Sequence, residues 1–412
     1  LDMNITLLPD AHISTPLGFS SSGISAGLKS SGGLDMALLY CRVPATAAAA
    51  FTGNIFAAAP VQWNRQVMSR AETLRAVISN SGNANACTGE QGLQDARRMA
   101  EITAAQLGLA PEEVLVCSTG RIGVPMPMHK IEQGIAKAVA ALSEDSGVDA
   151  AYGIMTTDTR PKYMGLALEI GGKQVRLAAM VKGAGMIAPQ MRSCPPQATM
   201  LAYVSTDACI EKEALRSSLE NAMQASFNRI IVDGDTSTND SLIALASGLA
   251  GNPIIRKGSR DWQNFSLALI ELLSSLAKEM LLDGEGVTHF VELQVSGTRT
   301  EAEARRIAEA IARSPLCKTA WFGGDPNWGR ILCAAGYSGV QFDPGKVDLD
   351  YADLPIVRGG MDAGSPEEEQ VKLLKERDIV LKLKFGEGRA AFTLWTCDLS
   401  YEYVKINADY RT

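Results

Sequence analysis

The stretch VKGAGMIAPQMRSCPPQATMLAYVSTDA, Val181 to Ala208, decides how this chain is read. Lys182 opens a Gly-Ala-Gly loop, and glycines at 183 and 185 allow sharp bends or close approach of backbone N–H groups to a ligand. Pro189, Pro195 and Pro196 exclude a regular helix along the approach to Thr199. The apolar run Met200 to Val204 then has the length and composition of a buried strand. Thr199 therefore stands where a constrained loop enters a core strand, a place that can hold a hydroxyl rigidly. By residue type alone it also reads as an ordinary strand threonine.

Working outward, the flanks alternate strands and helices. Gly171 to Val181 reads as a hairpin arm feeding Lys182, and Thr156-Thr-Asp-Thr-Arg-Pro-Lys162 as a polar, capped turn. Leu74 to Asn80 reads as a strand ending in the Asn-rich SGNANACTG loop, with a helix over about 91–109. Val114 to Ser118 reads as a short strand that gives way to a Thr119-Gly120 loop, where a hydroxyl and a backbone N–H could serve together as oxyanion donors. Helical patterns cover His129 to Ser143, Glu211 to Phe227, Ser259 to Leu282 and Glu301 to Ser314, with a strand over His289 to Ser296. Asp378 to Leu399 reads as two strands joined at Gly386-Glu-Gly388. The Gly/Ser-rich run Ser20 to Gly33 lacks a Gly-Lys-Ser/Thr ending and reads as turns between short strands. The acidic DGDTSTND loop, Asp233 to Asp240, has its glycine at the wrong offset for a calcium loop.

Several of these segments together resemble the self-cleaving ornithine acetyltransferases (glutamate N-acetyltransferases) of arginine biosynthesis. The segments are KGAGMIAP followed by ATMLAYVSTDA, SGNANACTG, DGDTSTND and DPNWGRI (Asp325 to Ile331). The resemblance runs over nearly the whole chain. It implies an α/β fold of layered α+β type, with helices packed on mixed β-sheets. It further implies self-cleavage between Ala198 and Thr199, giving an alpha chain 1–198 and a beta chain 199–412, with Thr199 as the acetyl-carrying nucleophile. Thr119 and Gly120 match the oxyanion donors. Thr157, Lys182, Thr199, Glu285, Asn407 and Thr412 match substrate-binding positions.

The implied reaction moves an acetyl group from N2-acetylornithine to glutamate in ping-pong fashion, with no cofactor and with acetyl-CoA open as a second acetyl donor. The implied assembly is a heterotetramer or larger oligomer of alpha and beta fragments. In two respects the chain departs from the family pattern, one of them Arg121, which stands where the family often has an apolar residue. Arg192 to Gln197 stand between the MIAPxM motif and Ala198-Thr199, where the family runs on almost directly. After cleavage these residues would form a free tail, where extra length costs little.

Composition bounds the alternatives. The chain has 412 residues, 46% hydrophobic and 21% charged, with net charge −7, which suits a globular protein and not a nucleic-acid binder. No apolar run is long enough for a bilayer and no signal segment is visible, so no membrane partner and a cytoplasmic location are expected. Eight dispersed cysteines, none in Cys-x-x-Cys, suggest buried reduced thiols. Three distant histidines show no metal-ligand spacing, so no metal is expected. Two other readings stay open. One is a self-processing aminopeptidase or amidase that passes its acyl group to water. The other is a non-catalytic metabolite or nucleotide binder that uses the Gly-rich loops as backbone nests.

Overall fold

The computed structural model describes residues 5–188 and 200–409. The chain forms two compact units: Leu1–Asn228 with Asp235–Met280, and Arg229–Gly234 with Leu281–Arg411.

The first unit carries β1 (Thr6–Leu8), β2 (Phe19–Ile24), β3 (Met36–Phe51), β4 (Thr73–Asn83), β5 (Val114–Arg121), β6 (Lys162–Ile170), β7 (Lys173–Lys182) and β8 (Leu201–Thr206). After the short β9 (Ile230–Ile231), which belongs to the second unit, it regains the chain for β10 (Ser241–Ala246). The nine strands of its sheet run β1-β6-β7-β8-β10-β3-β4-β5, with β2 also on β3. β4/β5 and β8/β10 pair in parallel and the other pairs are antiparallel. Every residue of β8 and β10 is buried, as strands covered on both faces require.

β3 is the hinge of this sheet. It follows the Gly/Ser-rich run and spans 16 residues. Met36 to Tyr40 pair with β2 and β4, and Thr46 to Phe51 pair with β10. Between them the register with β4 shifts, and Pro44 sits in that irregularity, where its missing N–H breaks no regular ladder. The sheet folds over on itself across this break. Ser79 of β4 and Tyr203 of β8 share a 2.8 Å hydrogen bond, although β10 and β3 separate their strands in the sheet order. Val77, Leu115 and Cys117 from one half pack with Met180, Leu201, Tyr203 and Ile243 from the other in one buried core. The alternate residues of β4 and β5 (Ala76, Ile78, Val114, Val116) face a second core. There the helices Gly89–Leu107 and Met128–Ala140 supply Met99, Ala100, Ile131 and Ile135.

The second unit adds β11 (Phe290–Thr298), β12 (Asp348–Tyr351), β13 (Leu354–Arg358), β14 (Met361–Asp362), β15 (Asp378–Lys384) and β16 (Ala390–Cys397). Their order is β14-β13-β12-β15-β11-β16-β9. The two strands flanking Gly386-Glu-Gly388 are therefore not neighbours, because β11 lies between β15 and β16. Helix Glu301–Ala312 buries Ala304, Ile307, Ala308 and Ile311, the spacing of one helical face, and is capped where Thr300 Oγ1 accepts from Glu303 N.

Mixed sheets with packed helices are the architecture the sequence resemblance implied. The thiols fit less well. Cys41, Cys117, Cys317 and Cys397 are buried, but Cys87 and Cys333 are exposed; no disulfide joins the described cysteines. Among the described residues no helix is long and apolar enough to cross a membrane, and no group of His, Cys, Asp and Glu could hold a metal ion.

Candidate active site

Four strand ends of the first unit converge because the sheet is folded over. β7 ends at Lys182, which pairs with Leu201 at the start of β8, and Leu201 pairs in turn with Ser241 of β10. From the other half, β5 brings Thr119. Ser118 to Arg121 continue β5 and do not turn away as a loop, because Ser81 and Gly82 of β4 keep pairing with Thr119 and Gly120. Gly120 has φ 127°, and a Cβ there would lie 2.5 Å from the Gly82 carbonyl carbon, so only glycine fits.

The Asn-rich segment turns out to be scaffolding for this strand end. Asn80 Oδ1 accepts from Ser118 Oγ at 2.6 Å, and Asn83 Nδ2 donates to the carbonyls of Val124 and Pro125, both at 3.1 Å. From the DGDTSTND loop, Asn239 Nδ2 donates to Ser118 O at 2.8 Å and to Ala84 O at 2.5 Å. Buried amides that saturate backbone groups in this way fix a strand end that would otherwise fray.

On this frame Lys182 Nζ donates to Thr119 Oγ1 at 3.3 Å. A threonine hydroxyl that accepts from an ammonium keeps its own proton to donate elsewhere, the state an oxyanion donor needs. Lys182 is itself buried. Its charge is balanced by Asp158, which belongs to the polar segment read as a capped turn. Asp158 does cap it, accepting from Thr156 N at 2.9 Å. It also accepts from Gly183 N and from Lys162 Nζ, each at 2.7 Å, and the Lys162 and Asp158 side chains are 1% and 0% exposed. Burial alone would raise the Asp158 carboxyl; the cations Lys182 and Lys162 outweigh it and hold the pKa at about 2. Asp158 thus pins the first residue of the Gly loop and supplies the counter-charge for both lysines.

Thr119, Lys182, Met200, Ser237, Asn239 and Asp240 line one small cavity of about 10 Å³, room for the centre of about one water-sized group. Met200 is the residue bonded to Thr199 in the sequence. Thr157 is half-buried beside Asp158. The second unit brings together another pair. Glu285 is buried, and its Oε2 accepts from Asn407 Nδ2 at 2.6 Å. Thr199, Ala198, Thr412 and the Arg192 to Gln197 insert lie outside the described residues. Arg121 is exposed at the end of β5, and nothing in the structure explains it. Sequence reasoning passed over Asp158 and Asp240. The signals available were an Asp and a Lys four apart before a strand, and an Asp directly before the apolar run Ser241 to Ala246.

Comparisons with known proteins identify the family. The model of the ArgJ family matches residues 20–412. The arginine biosynthesis bifunctional protein ArgJ of Symbiobacterium thermophilum is 50% identical over 404 residues, 97% of this chain and 98% of that protein. Its counterpart from Geobacter sulfurreducens is 47% identical over 398 residues, covering 96% and 99%. Among solved structures, ornithine acetyltransferase from Mycobacterium tuberculosis, complexed with ornithine, is 43% identical at a TM-score of 0.43. It covers 46% of this chain and 100% of that chain. The chain belongs to the ArgJ family and is an acyltransferase enzyme of arginine biosynthesis, of the glutamate N-acetyltransferase kind.

Proposed function

We propose that this protein transfers an acetyl group from N2-acetylornithine to glutamate through an acetyl-Thr199 intermediate, after cutting itself between Ala198 and Thr199 into chains 1–198 and 199–412. The observation that carries the reading is the cavity where Lys182 and Thr119 meet beside Met200. A threonine hydroxyl is a poor nucleophile without a base beside it. Cleavage creates that base, because the freed α-amine of an N-terminal threonine has an ordinary pKa of roughly 8. The cut is an N-to-O acyl shift: the Thr199 hydroxyl attacks the Ala198 carbonyl and water then opens the ester.

In the mature enzyme the same hydroxyl attacks the acetyl carbonyl of acetylornithine. Thr119 and Gly120 donate to the developing oxyanion. The α-amine passes its proton to the departing ornithine, and glutamate then accepts the acetyl group. Lys182 faces the substrate carboxylate or the nucleophile. Thr157, Glu285, Asn407 and Thr412 hold the amino-acid portion, with the Glu285 carboxylate suited to an ammonium group. Acetyl-CoA serves as a second acetyl donor, in keeping with the bifunctional label of the relatives. The residues hold no cofactor in this scheme, the working unit is an oligomer of both fragments, and the setting is the cytoplasm.

Initial-rate kinetics test the transfer. Parallel double-reciprocal lines for acetylornithine against glutamate are expected. Release of acetate at the transfer rate without glutamate would instead mark a hydrolase.

A further inference from the structure

The Gly/Ser-rich run that continues from β2 has no part in the proposed reaction, yet the fold sets it beside the site. Asp35, fully buried directly before β3, ties the run down. Its Oδ1 accepts from Ala26 N at 2.6 Å, and its Oδ2 accepts from Leu28 N at 2.6 Å and from Lys29 N at 3.0 Å. Its carbonyl accepts from Ser81 N of β4 at 2.8 Å. From the helix Met128–Ala140, Lys130 Nζ donates to Gly27 O at 2.7 Å. A Gly-rich segment held by this many buried hydrogen bonds presents its side chains in fixed places.

The held segment lies against the end of β4. A Cβ on Gly82 would stand 3.5 Å from the Leu28 carbonyl carbon, and Gly82 pairs with Gly120 of the strand that carries Thr119. Lys29 is the next residue and is half-buried. Its Nζ donates to Leu34 O at 2.7 Å and forms no ion pair among the described residues. An ammonium carries three donors, and a single carbonyl uses one of them. Burial lowers the Lys29 ammonium, Asp35 and Asp158 draw it back up, and Lys182 pushes it down. Lys29 therefore shares the electrostatic surroundings of Lys182 and its counter-charge Asp158.

We propose that Lys29 determines the specificity of the acceptor half-reaction: its ammonium pairs with the side-chain carboxylate of glutamate. The proposal rests on the acetylornithine-to-glutamate reading. In that reading Lys182 serves one carboxylate and Glu285 an ammonium. The two substrates differ in the charge at the end of the side chain: acetylornithine ends in an ammonium and glutamate in a carboxylate. Glutamate thus needs a cation that acetylornithine does not, and Lys29 is a cation beside the site that the reading leaves unused. The cavity at Thr119 and Lys182, about 10 Å³, admits only the reacting group, so the acceptor's side chain extends beyond it.

The test uses the full chain, its Lys29→Met and Lys29→Arg variants, and initial rates with acetylornithine and glutamate varied. In a ping-pong reaction kcat/KM for each substrate reports its own half-reaction. Lys29→Met is expected to lower kcat/KM for glutamate by at least about tenfold, the scale of one charge-assisted hydrogen bond. For acetylornithine the same constant should stay level or rise, because a cation is removed from a site that must also take a cationic side chain. Lys29→Arg keeps the charge and should hold kcat/KM for glutamate within about threefold of wild type.

Equal losses on both substrates would assign Lys29 to holding its loop through Leu34 and overturn the role, as would an unchanged kcat/KM for glutamate. If Lys29→Met does not fold, Lys29→Gln, whose amide can still donate to Leu34 O, is read on the same two constants. These outcomes leave acetyl transfer by the wild type standing. A wild type that transfers nothing to glutamate overturns that reading first, and the role of Lys29 with it.

Discussion

Asp158 and Glu285 are both buried carboxylates, and their settings differ. Asp158 accepts from two backbone amides and the Lys162 ammonium inside the first unit, and its neighbours are the ends of core strands. Glu285 lies in the second unit and accepts from Asn407, which sits on the helix Tyr401–Asp409, no residue of which is buried. That helix is tied down by contacts such as Ser400 Oγ to Gly286 O at 2.6 Å and Tyr403 Oη to Asp233 Oδ2 at 3.3 Å. The first arrangement is fixed by the core and cannot change without damaging it. The second depends on a helix at the surface with no buried residue, and exposed elements open at lower free-energy cost than core strands. Groups that must be aimed at a reacting carbonyl belong in the first setting; groups that admit and release an amino acid belong in the second.

The largest effect should come from Asp158→Ala. It removes the carboxylate that the buried Lys162 ammonium donates to and frees the Gly183 amide, so a loss of about 3–5 kcal/mol in unfolding free energy is expected by urea titration. A loss below about 1 kcal/mol would erase the contrast between the two carboxylates. Next, Lys182→Met should lower kcat by about 10²-fold, the scale of one transition-state donor, while Thr119 loses the ammonium that orients it. A change confined to KM would show that Lys182 only binds substrate.

The pH dependence of stability comes third. With its pKa lowered to about 2 in the fold, Asp158 contributes stability that is fully present above the unfolded value near 4 and is lost as pH falls through 2. That contribution is about 2 kcal/mol. The stability gap between wild type and Asp158→Asn should therefore narrow by about that much from pH 5 to pH 2, and a constant gap would contradict the assigned charge state. The smallest effect belongs to the second region. Asn407→Ala should raise KM for glutamate by roughly threefold to tenfold, one neutral hydrogen bond's worth. Its Tm should stay unchanged, because Asn407 is exposed.

Much of the fold was legible because local patterns carried it. The helices Gly89–Leu107, Lys212–Ala225, Arg260–Leu282 and Glu301–Ala312 lie close to where apolar periodicity put them. The Gly171-Gly172 turn, with φ of 57° and 74°, makes the hairpin that delivers Lys182. What escaped the sequence was long-range. Nothing local in Met36 to Phe51 says that one strand serves two halves of a folded sheet, and without that fold Thr119 and Lys182 have no reason to meet. The continuation of β5 through Gly120 was hidden too, since Ser-Thr-Gly is turn-like until Ser81 and Gly82 pair with it. Asp158 and Asp240 went unread for the same reason: an acidic residue beside a turn is ordinary until its neighbours from other strands are known. Family motifs named Thr199, Glu285 and Asn407; residue types alone would not have.

The most direct test of the account is the mass of the freshly purified protein under denaturing conditions, wild type beside Thr199→Ala. The account predicts two fragments for wild type, the second beginning Thr199-Met200-Leu201, and one intact, inactive chain for the variant. A wild-type chain that stays whole yet transfers acetyl groups, or a Thr199→Ala protein that is cut and active, would contradict it.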